Sequence, residues 1–124
     1  MNHNEDNLRV NSPLEYHALI AYVQWLESQL LEEFNDVQIR VKDMDSTVDN
    51  LVNYRDEDEQ NEDYNNSRYY NNRIWNELGN QQVLKDEFYD YQNSVLDDIY
   101  TVECVLYPNS PVNYRNLYIF EGDE

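Results

Sequence analysis

The chain has few of the residues that shape turn-rich or disulfide-bonded folds. Its 124 residues include two Gly, three Pro and one Cys. So few turn residues argue against a β-sandwich or barrel and against a glycine-rich phosphate-binding loop. The single cysteine, Cys104, excludes an intramolecular disulfide framework and a four-cysteine zinc site. A reducing compartment such as the cytoplasm fits this composition best.

Positive charge and long apolar runs are also scarce. Eight Lys and Arg oppose 26 Asp and Glu, which gives a formal net charge of -18. Such a surface is repelled by nucleic acid and by anionic lipid, so we expect direct binding to neither. No apolar run reaches the roughly 18 residues of a membrane span, and the polar N-terminus with Glu5 and Asp6 does not resemble a signal peptide. The charge instead predicts a basic protein partner.

The rest of the composition predicts one folded, all-α domain over residues 1–124. Its 40% hydrophobic and 14% aromatic residues are too many for a disordered acidic chain. We expect a long antiparallel helical hairpin or coiled coil with a short extended C-terminal tail. The predicted segments are a mobile N-terminus at 1–12, helix one at 13–54, an acidic connection at 55–67, helix two at 68–106 and the tail at 107–124.

Helix one is predicted from a capping sequence and a heptad pattern. Ser12, Pro13 and Glu15 form a helix start of the capping-box type. Apolar residues then recur at spacings of three and four, with one stutter near Leu30. A strand at 37–41 is the competing interpretation. The predicted seam consists of Tyr16, Leu19, Val23, Leu26, Leu30, Phe34, Val37, Val41, Met44, Val48 and Leu51.

Helix two is predicted to follow an acidic stretch. Residues 55–66 contain no aliphatic side chain, so we expect a solvated connection there, with a frayed helix end as the alternative. The pair Gly79-Asn80 predicts a kink or break, Pro108 stops the helix, and residues 116–120 are expected to be extended. The predicted apolar side consists of Ile74, Leu78, Leu84, Phe88, Tyr91, Val95, Ile99 and Val102.

The sequence offers little support for catalysis or for a metal site. His17 and Cys104 meet only if the hairpin closes, and we expect Cys104 to be a small core residue. The acids are so numerous that carboxylate pairs arise by chance. The stretch that begins at Asp56 has Asn61 where a calcium loop needs Gly and Ser67 where it needs Glu. We therefore predict no catalytic residue, no cofactor and no metal site.

The acids form two surfaces, which we name the acidic tip and the shaft acids. The tip lies at the predicted hairpin end between residues 43 and 63, where Arg55 is the one base. The shaft acids lie in the base-free blocks 27–36 and 86–98, which face each other if the chain turns near residue 60. The acidic tip comprises Asp43, Asp45, Asp49, Asp56, Glu57, Asp58, Glu59, Glu62 and Asp63, with Tyr64, Tyr69 and Tyr70 beside it. The shaft acids comprise Glu32, Glu33, Asp86, Glu87 and Asp90.

An acidic helix of this kind can imitate a nucleic acid backbone. Carboxylates at i and i+4 lie about 6 Å apart, which is comparable with neighbouring phosphates on a strand. In charge, size and helical pattern the chain resembles small acidic phage proteins that block defence nucleases, namely anti-restriction and anti-CRISPR inhibitors. That resemblance implies a non-enzymatic inhibitor that acts on a basic nucleic-acid-binding protein or nuclease complex in the host cytoplasm. The 18 Asn and 12 Tyr residues are typical of an AT-rich phage or mobile element.

Two other functions stay open at this point. A coiled-coil scaffolding protein would self-associate through the seam, and its acidity would serve only solubility. A small enzyme built around Cys104 and His17 is the third hypothesis. A two-helix hairpin has a narrow core, so we expect a homodimer or docking onto a partner. The tyrosines beside the tip would anchor that partner or, alternatively, pack the end of the hairpin.

Overall fold

Two long helices make up most of the protein. The computed structural model describes residues 13–109, 111 and 117–123. Helix α1 spans Pro13–Gln60 and helix α2 spans Tyr64–Leu106, and the described residues contain no strand. The all-α prediction is confirmed. The predicted mobile N-terminus at 1–12, including Ser12, lies outside the described residues.

The chain divides into two compact units, each built from parts of both helices. Unit 1 contains Met1–Phe34 and Tyr89–Glu124, and unit 2 contains Asn35–Phe88. In unit 2 the Gln81 amide of α2 donates a hydrogen bond to the Val41 carbonyl of α1 at 3.1 Å. In unit 1 the hydroxyls of Tyr16 and Tyr107 hydrogen-bond at 3.5 Å. A second contact in unit 2 joins Arg55 to Asn71, so positions that advance along α1 pair with positions that go back along α2. The two helices are therefore antiparallel there, which confirms the helical hairpin.

The heptad pattern of helix one marks its buried side. All eleven predicted seam positions are buried or half-buried. Leu30 is fully buried, so the stutter does not interrupt the core. The strand alternative at 37–41 is wrong because α1 is continuous there and Ile39 is 60% exposed. A stripe of apolar residues at helical spacing is buried by packing one side of the helix.

The predicted acidic connection at 55–67 is wrong. Helix α1 continues to Gln60 and α2 begins at Tyr64, so the connection comprises only residues 61–63. Glu, Gln and Arg are good helix formers, and the acids at 56, 57 and 59 are exposed to water, so nothing ends the helix at residue 54. Helix contact continues there through polar groups, because the Arg55 guanidinium donates to Asn71 Oδ1 at 3.1 Å.

Helix α2 departs from its prediction at two further places, besides its earlier start at Tyr64. Gly79-Asn80 does not break it, since α2 is continuous across this exposed pair. The predicted burial of Tyr91 is also wrong, because Tyr91 is exposed and its neighbour Gln92 is fully buried. The other predicted apolar positions of α2 are buried or half-buried, and the helix ends at residue 106 as predicted.

Gln92 and the two aromatic rings of Phe34 and Tyr89 hold residues 118–120 of the C-terminal tail in unit 1. The Gln92 amide donates to the Tyr118 carbonyl at 3.0 Å and accepts the Tyr118 N–H at 2.8 Å. Phe120 is 1% exposed, and its ring lies 5.2 Å from Phe34 and 5.3 Å from Tyr89. The Tyr89 hydroxyl accepts the Phe120 N–H at 3.0 Å. Tyr118 and Phe120, in the described part of the tail, therefore pack into the core of unit 1.

The reversal at 61–63 uses a helix-ending motif that usually contains glycine. The Asp63 N–H donates to the Asp58 carbonyl at 2.8 Å and the Glu62 N–H to the Glu59 carbonyl at 3.1 Å, which is the Schellman pattern. Glu62 occupies the left-handed position with a φ of 61°. Asp63 then caps α2, because its Oδ1 accepts the Asn66 N–H at 3.3 Å. The turn thus holds a strained non-glycine residue between two well-formed helix ends.

Replacing Glu62 by glycine should stabilise the protein. Glycine adopts the left-handed region without the steric penalty of a Cβ, and the change removes a carboxylate near the negative end of the α1 dipole. We expect Glu62→Gly to raise the free energy of unfolding, measured with urea, by about 1 kcal/mol. The matched variant Glu62→Ala removes the same charge but keeps a Cβ, so it should gain less. Equal gains would show that charge, and not backbone strain, limits stability here.

Candidate partner-binding surface

The acidic tip lies in unit 2, on the last turns of α1 and in the 61–63 connection. Eight of its nine acidic residues are exposed, and Asp58 is half-buried. Asp45, Asp49 and Asp56 are four and seven residues apart, so they share one side of α1. A rise of about 1.5 Å per residue separates them by about 6 and about 10 Å along the helix axis. The tip therefore presents a row of carboxylates on a continuous helix.

Three tip carboxylates take part in contacts within the fold. Asp45 accepts a hydrogen bond from the Gln81 amide at 2.7 Å, and Asp56 forms an ion pair with Arg55 at 3.3 Å. Asp63 caps α2. The side chains of the other six tip acids form no hydrogen bond or ion pair within the described part of the chain. Most of the tip charge is therefore available to a partner.

The acids at the end of α1 oppose the formation of that helix. Its last turn contains no basic residue, although Glu57, Asp58 and Glu59 lie there beside the negative end of the helix dipole. Like charges three or four residues apart on a helix also repel each other. These acids are therefore not placed for stability.

The three tyrosines beside the tip differ in exposure. Tyr64 is 61% and Tyr69 55% exposed, whereas Tyr70 is half-buried. The Tyr70 ring lies 5.6 Å from that of Tyr54 and 5.4 Å from that of Tyr69, and the Arg73 guanidinium lies 5.8 Å from the Tyr69 centroid. Sequence reasoning missed Tyr54, which gave no signal beyond its position next to Arg55. Tyr70 packs the hairpin end, while Tyr64 and Tyr69 present their rings to solvent.

The shaft acids divide between the two units, and all five are exposed. Glu32, Glu33 and Asp90 belong to unit 1, whereas Asp86 and Glu87 belong to unit 2. The Asp86 carboxylate accepts a hydrogen bond from the Gln82 amide at 2.9 Å. The merging of blocks 27–36 and 86–98 into one patch stays a prediction.

The residues considered for catalysis have other contacts. Cys104 is half-buried, and a hydrogen bond with it raises the pKa of Tyr100 above its ordinary value. A hydrogen bond with Tyr16 raises the pKa of Tyr107 in the same way. His17 is exposed on α1, and among the described residues no hydrogen bond joins it to Cys104. Within the same residues, no three His, Cys, Asp or Glu side chains are grouped to hold a metal ion.

No family model, curated protein or solved structure matches this chain. Neither of the two described helices has a segment that is both long and apolar enough to cross a membrane. The fold and the surface define an all-α hairpin whose connected end carries exposed carboxylates and tyrosines.

Proposed function

We propose that this protein is a non-enzymatic inhibitor that mimics nucleic acid. It occupies the basic nucleic-acid-binding channel of a host defence nuclease, such as a CRISPR or restriction complex, in the cytoplasm. The observation that carries the proposal is the acidic tip, with eight exposed acids on one helix and the turn that follows it. Charge steers the two proteins together, and exposed tyrosines anchor the contact.

The spacing of the tip acids supports this proposal. Asp45 and Asp49 are one helical turn apart, so their backbone positions differ by about 6 Å along the axis. Phosphates on one strand of a duplex follow each other at about 3.4 Å along its axis, so this separation corresponds to roughly every second phosphate of that strand. Lys and Arg side chains that bind a phosphate backbone can therefore bind this row of carboxylates.

The location of the acids also supports a role beyond solubility. Acids at any exposed position keep a protein soluble. The acids at 57–59 lie at the end of α1 where the helix dipole disfavours negative charge. A partner that requires negative charge at the hairpin end accounts for this placement, whereas solubility does not.

A coiled-coil scaffolding protein is the second candidate. It would self-associate through the seam, but the seam side chains, such as Leu30 and Val37, are already buried within the chain. Exchange of helices between copies would have to open each hairpin first. The narrow core still makes a homodimer or docking onto a partner the expected state.

Capture from a host lysate at two salt concentrations tests both candidates. We expect the immobilised protein to retain a basic nucleic-acid-binding protein at about 0.05 M salt and to release it at about 0.5 M, because exposed charges are screened at high salt. Recovery of further copies of this chain alone, at both salt concentrations, would support the scaffold and contradict the inhibitor.

A further inference from the structure

A second apolar stripe lies on α1, at positions that the seam does not use. Leu14, Ala18, Ala21 and Trp25 are four, three and four residues apart, which is a heptad pattern of its own. All four are exposed, Leu14 by 80% and Trp25 by 56%. Tyr22 extends the stripe, because its ring stacks near Trp25 at 6.3 Å and 18°. We name these five residues the outer stripe.

The outer stripe has the composition of a contact surface. Two alanines lie between the larger Leu14 and Trp25, so a second helix can approach α1 closely at that point. Trp and Tyr are enriched among the residues that dominate binding energy at protein interfaces. Clustered exposed apolar side chains, unlike single ones, mark interaction sites. The hairpin core does not account for the stripe, since the seam lies on another side of α1.

The charge of unit 1, which carries the stripe, defines the kind of partner. The described residues of unit 1 include ten acids and no Lys or Arg. All six Lys and Arg of the described residues belong to unit 2. Two outer stripes from two copies would therefore bring like charges together, which disfavours their association. Nine of these acids are exposed, and the tenth, Glu103, is buried. The exposed acids are Glu15, Glu27, Glu32, Glu33, Asp90, Asp97, Asp98, Glu121 and Asp123.

We infer that the outer stripe docks a basic amphipathic helix of a partner protein. The apolar side of that helix packs over Ala18 and Ala21 between Leu14 and Trp25. Its flanking Lys and Arg side chains lie near the carboxylates of unit 1. Helix-in-groove recognition of this kind uses apolar anchors at i, i+3, i+4 and i+7. The inference does not rest on nucleic acid mimicry by the tip, which lies in unit 2.

A defined peptide tests this inference. The probe is an amphipathic Leu/Lys helix of about 18 residues, or five turns, without tryptophan, and the matched peptide has Glu in place of every Lys. In the Trp75→Phe background, Trp25 is the only tryptophan. We expect its fluorescence to shift to shorter wavelength with the Lys peptide and not with the Glu peptide, because only the first covers Trp25 and matches the charge.

The affinity of the Lys peptide for variants of the outer stripe shows whether the peptide binds there. We expect Leu14→Ala/Trp25→Ala to weaken Lys-peptide binding about tenfold or more. The control Trp75→Ala removes an equally large, 66% exposed tryptophan from unit 2 and should leave binding unchanged. Ala18→Lys, a change at an exposed helix position, places a cation in the docking site and should weaken binding by at least the same factor. Circular dichroism of each variant checks that the helices persist.

Four outcomes would overturn the inference. Equal loss of binding in Trp75→Ala would show nonspecific adsorption, and equal affinity for the Glu peptide would remove the charge argument. Loss of Lys-peptide binding after neutralisation of the acids at 56–59 would place the peptide on the tip instead. A dimer in sedimentation that Trp25→Ala dissociates and the peptide does not displace would assign the stripe to a second copy.

Discussion

Neutralising four tip acids together should weaken target binding about a hundredfold and make the protein more stable. The variant is Asp56→Asn/Glu57→Gln/Asp58→Asn/Glu59→Gln. Each exposed charge contact is worth at most about 1 kcal/mol, so four lost contacts amount to about 3 kcal/mol, or roughly a hundredfold in Kd. The same change relieves repulsion at the negative end of α1, which should raise the free energy of unfolding by about 1 kcal/mol.

The measurement is the Kd for the captured target at two salt concentrations, beside urea unfolding of the same variant. Binding by the variant should also depend less steeply on salt, because fewer exposed charges contribute to it. A single change such as Glu57→Gln should have little effect, since charge acts collectively here. Unchanged Kd in a folded and more stable variant would show that the tip acids do not bind the target.

A second variant, neutralised at the shaft acids, shows which of the two acidic surfaces binds the target. The variant Glu32→Gln/Glu33→Gln/Asp86→Asn/Glu87→Gln removes the same number of charges away from the tip. We expect this variant to lose much less affinity for the target. It weakens only the long-range attraction between this protein and its basic target, and it keeps the contacts that the tip makes. A larger loss in this set than in the tip set would move the interface to the shaft acids.

The second large effect concerns the tail. Phe120→Ala should lower the free energy of unfolding by about 3 to 5 kcal/mol, because a buried ring between Phe34 and Tyr89 leaves a cavity when it is removed. The neighbouring Ile119 is 39% exposed, so Ile119→Ala should change this free energy by less than about 1 kcal/mol. Urea unfolding monitored by circular dichroism measures both.

Comparable destabilisation by Phe120→Ala and Ile119→Ala would contradict a specifically docked tail. Should Phe120→Ala not fold, Phe120→Leu provides the graded version, with an expected loss of about 1 to 2 kcal/mol. A truncation of the chain before Leu117 should destabilise unit 1 at least as strongly as Phe120→Ala, because it also leaves the buried Gln92 amide without its backbone partners.

The seam and the all-α fold could be predicted because they depend on periodicity within one helix. A spacing of three and four residues repeats from Tyr16 to Leu51 and is a local property of the sequence. The outer stripe from Leu14 to Trp25 has the same kind of signal, but it lies in a second frame of α1 that the seam residues do not occupy. A search for a second heptad frame in the same helix would have found it.

The hairpin end could not be predicted from the aliphatic pattern. The contact between Arg55 and Asn71 continues helix packing with polar groups, and a search for apolar residues does not detect such contacts. Asp63 did offer a signal, since an Asp directly before a helix favours capping of that helix. The cap shortens the connection and uses one of the carboxylates assigned to the tip.

The buried Gln92 could not be predicted for a different reason. Its two hydrogen bonds go to Tyr118, which is 26 residues away. A glutamine on an acidic helix is ordinarily solvent-exposed, and only the position of the tail explains its burial. The non-local contacts of Phe120 are equally invisible to a periodicity argument.

Competition with nucleic acid tests nucleic acid mimicry most directly. The captured target is titrated with labelled duplex DNA or guide RNA in the presence of increasing concentrations of this protein, at about 0.1 M salt. Mimicry predicts that the apparent Kd for nucleic acid rises in proportion to the concentration of this protein. It also predicts that the variant neutralised at 56–59 competes about a hundredfold less well. A complex that holds the target, this protein and nucleic acid together, with the Kd for nucleic acid unchanged, would contradict it.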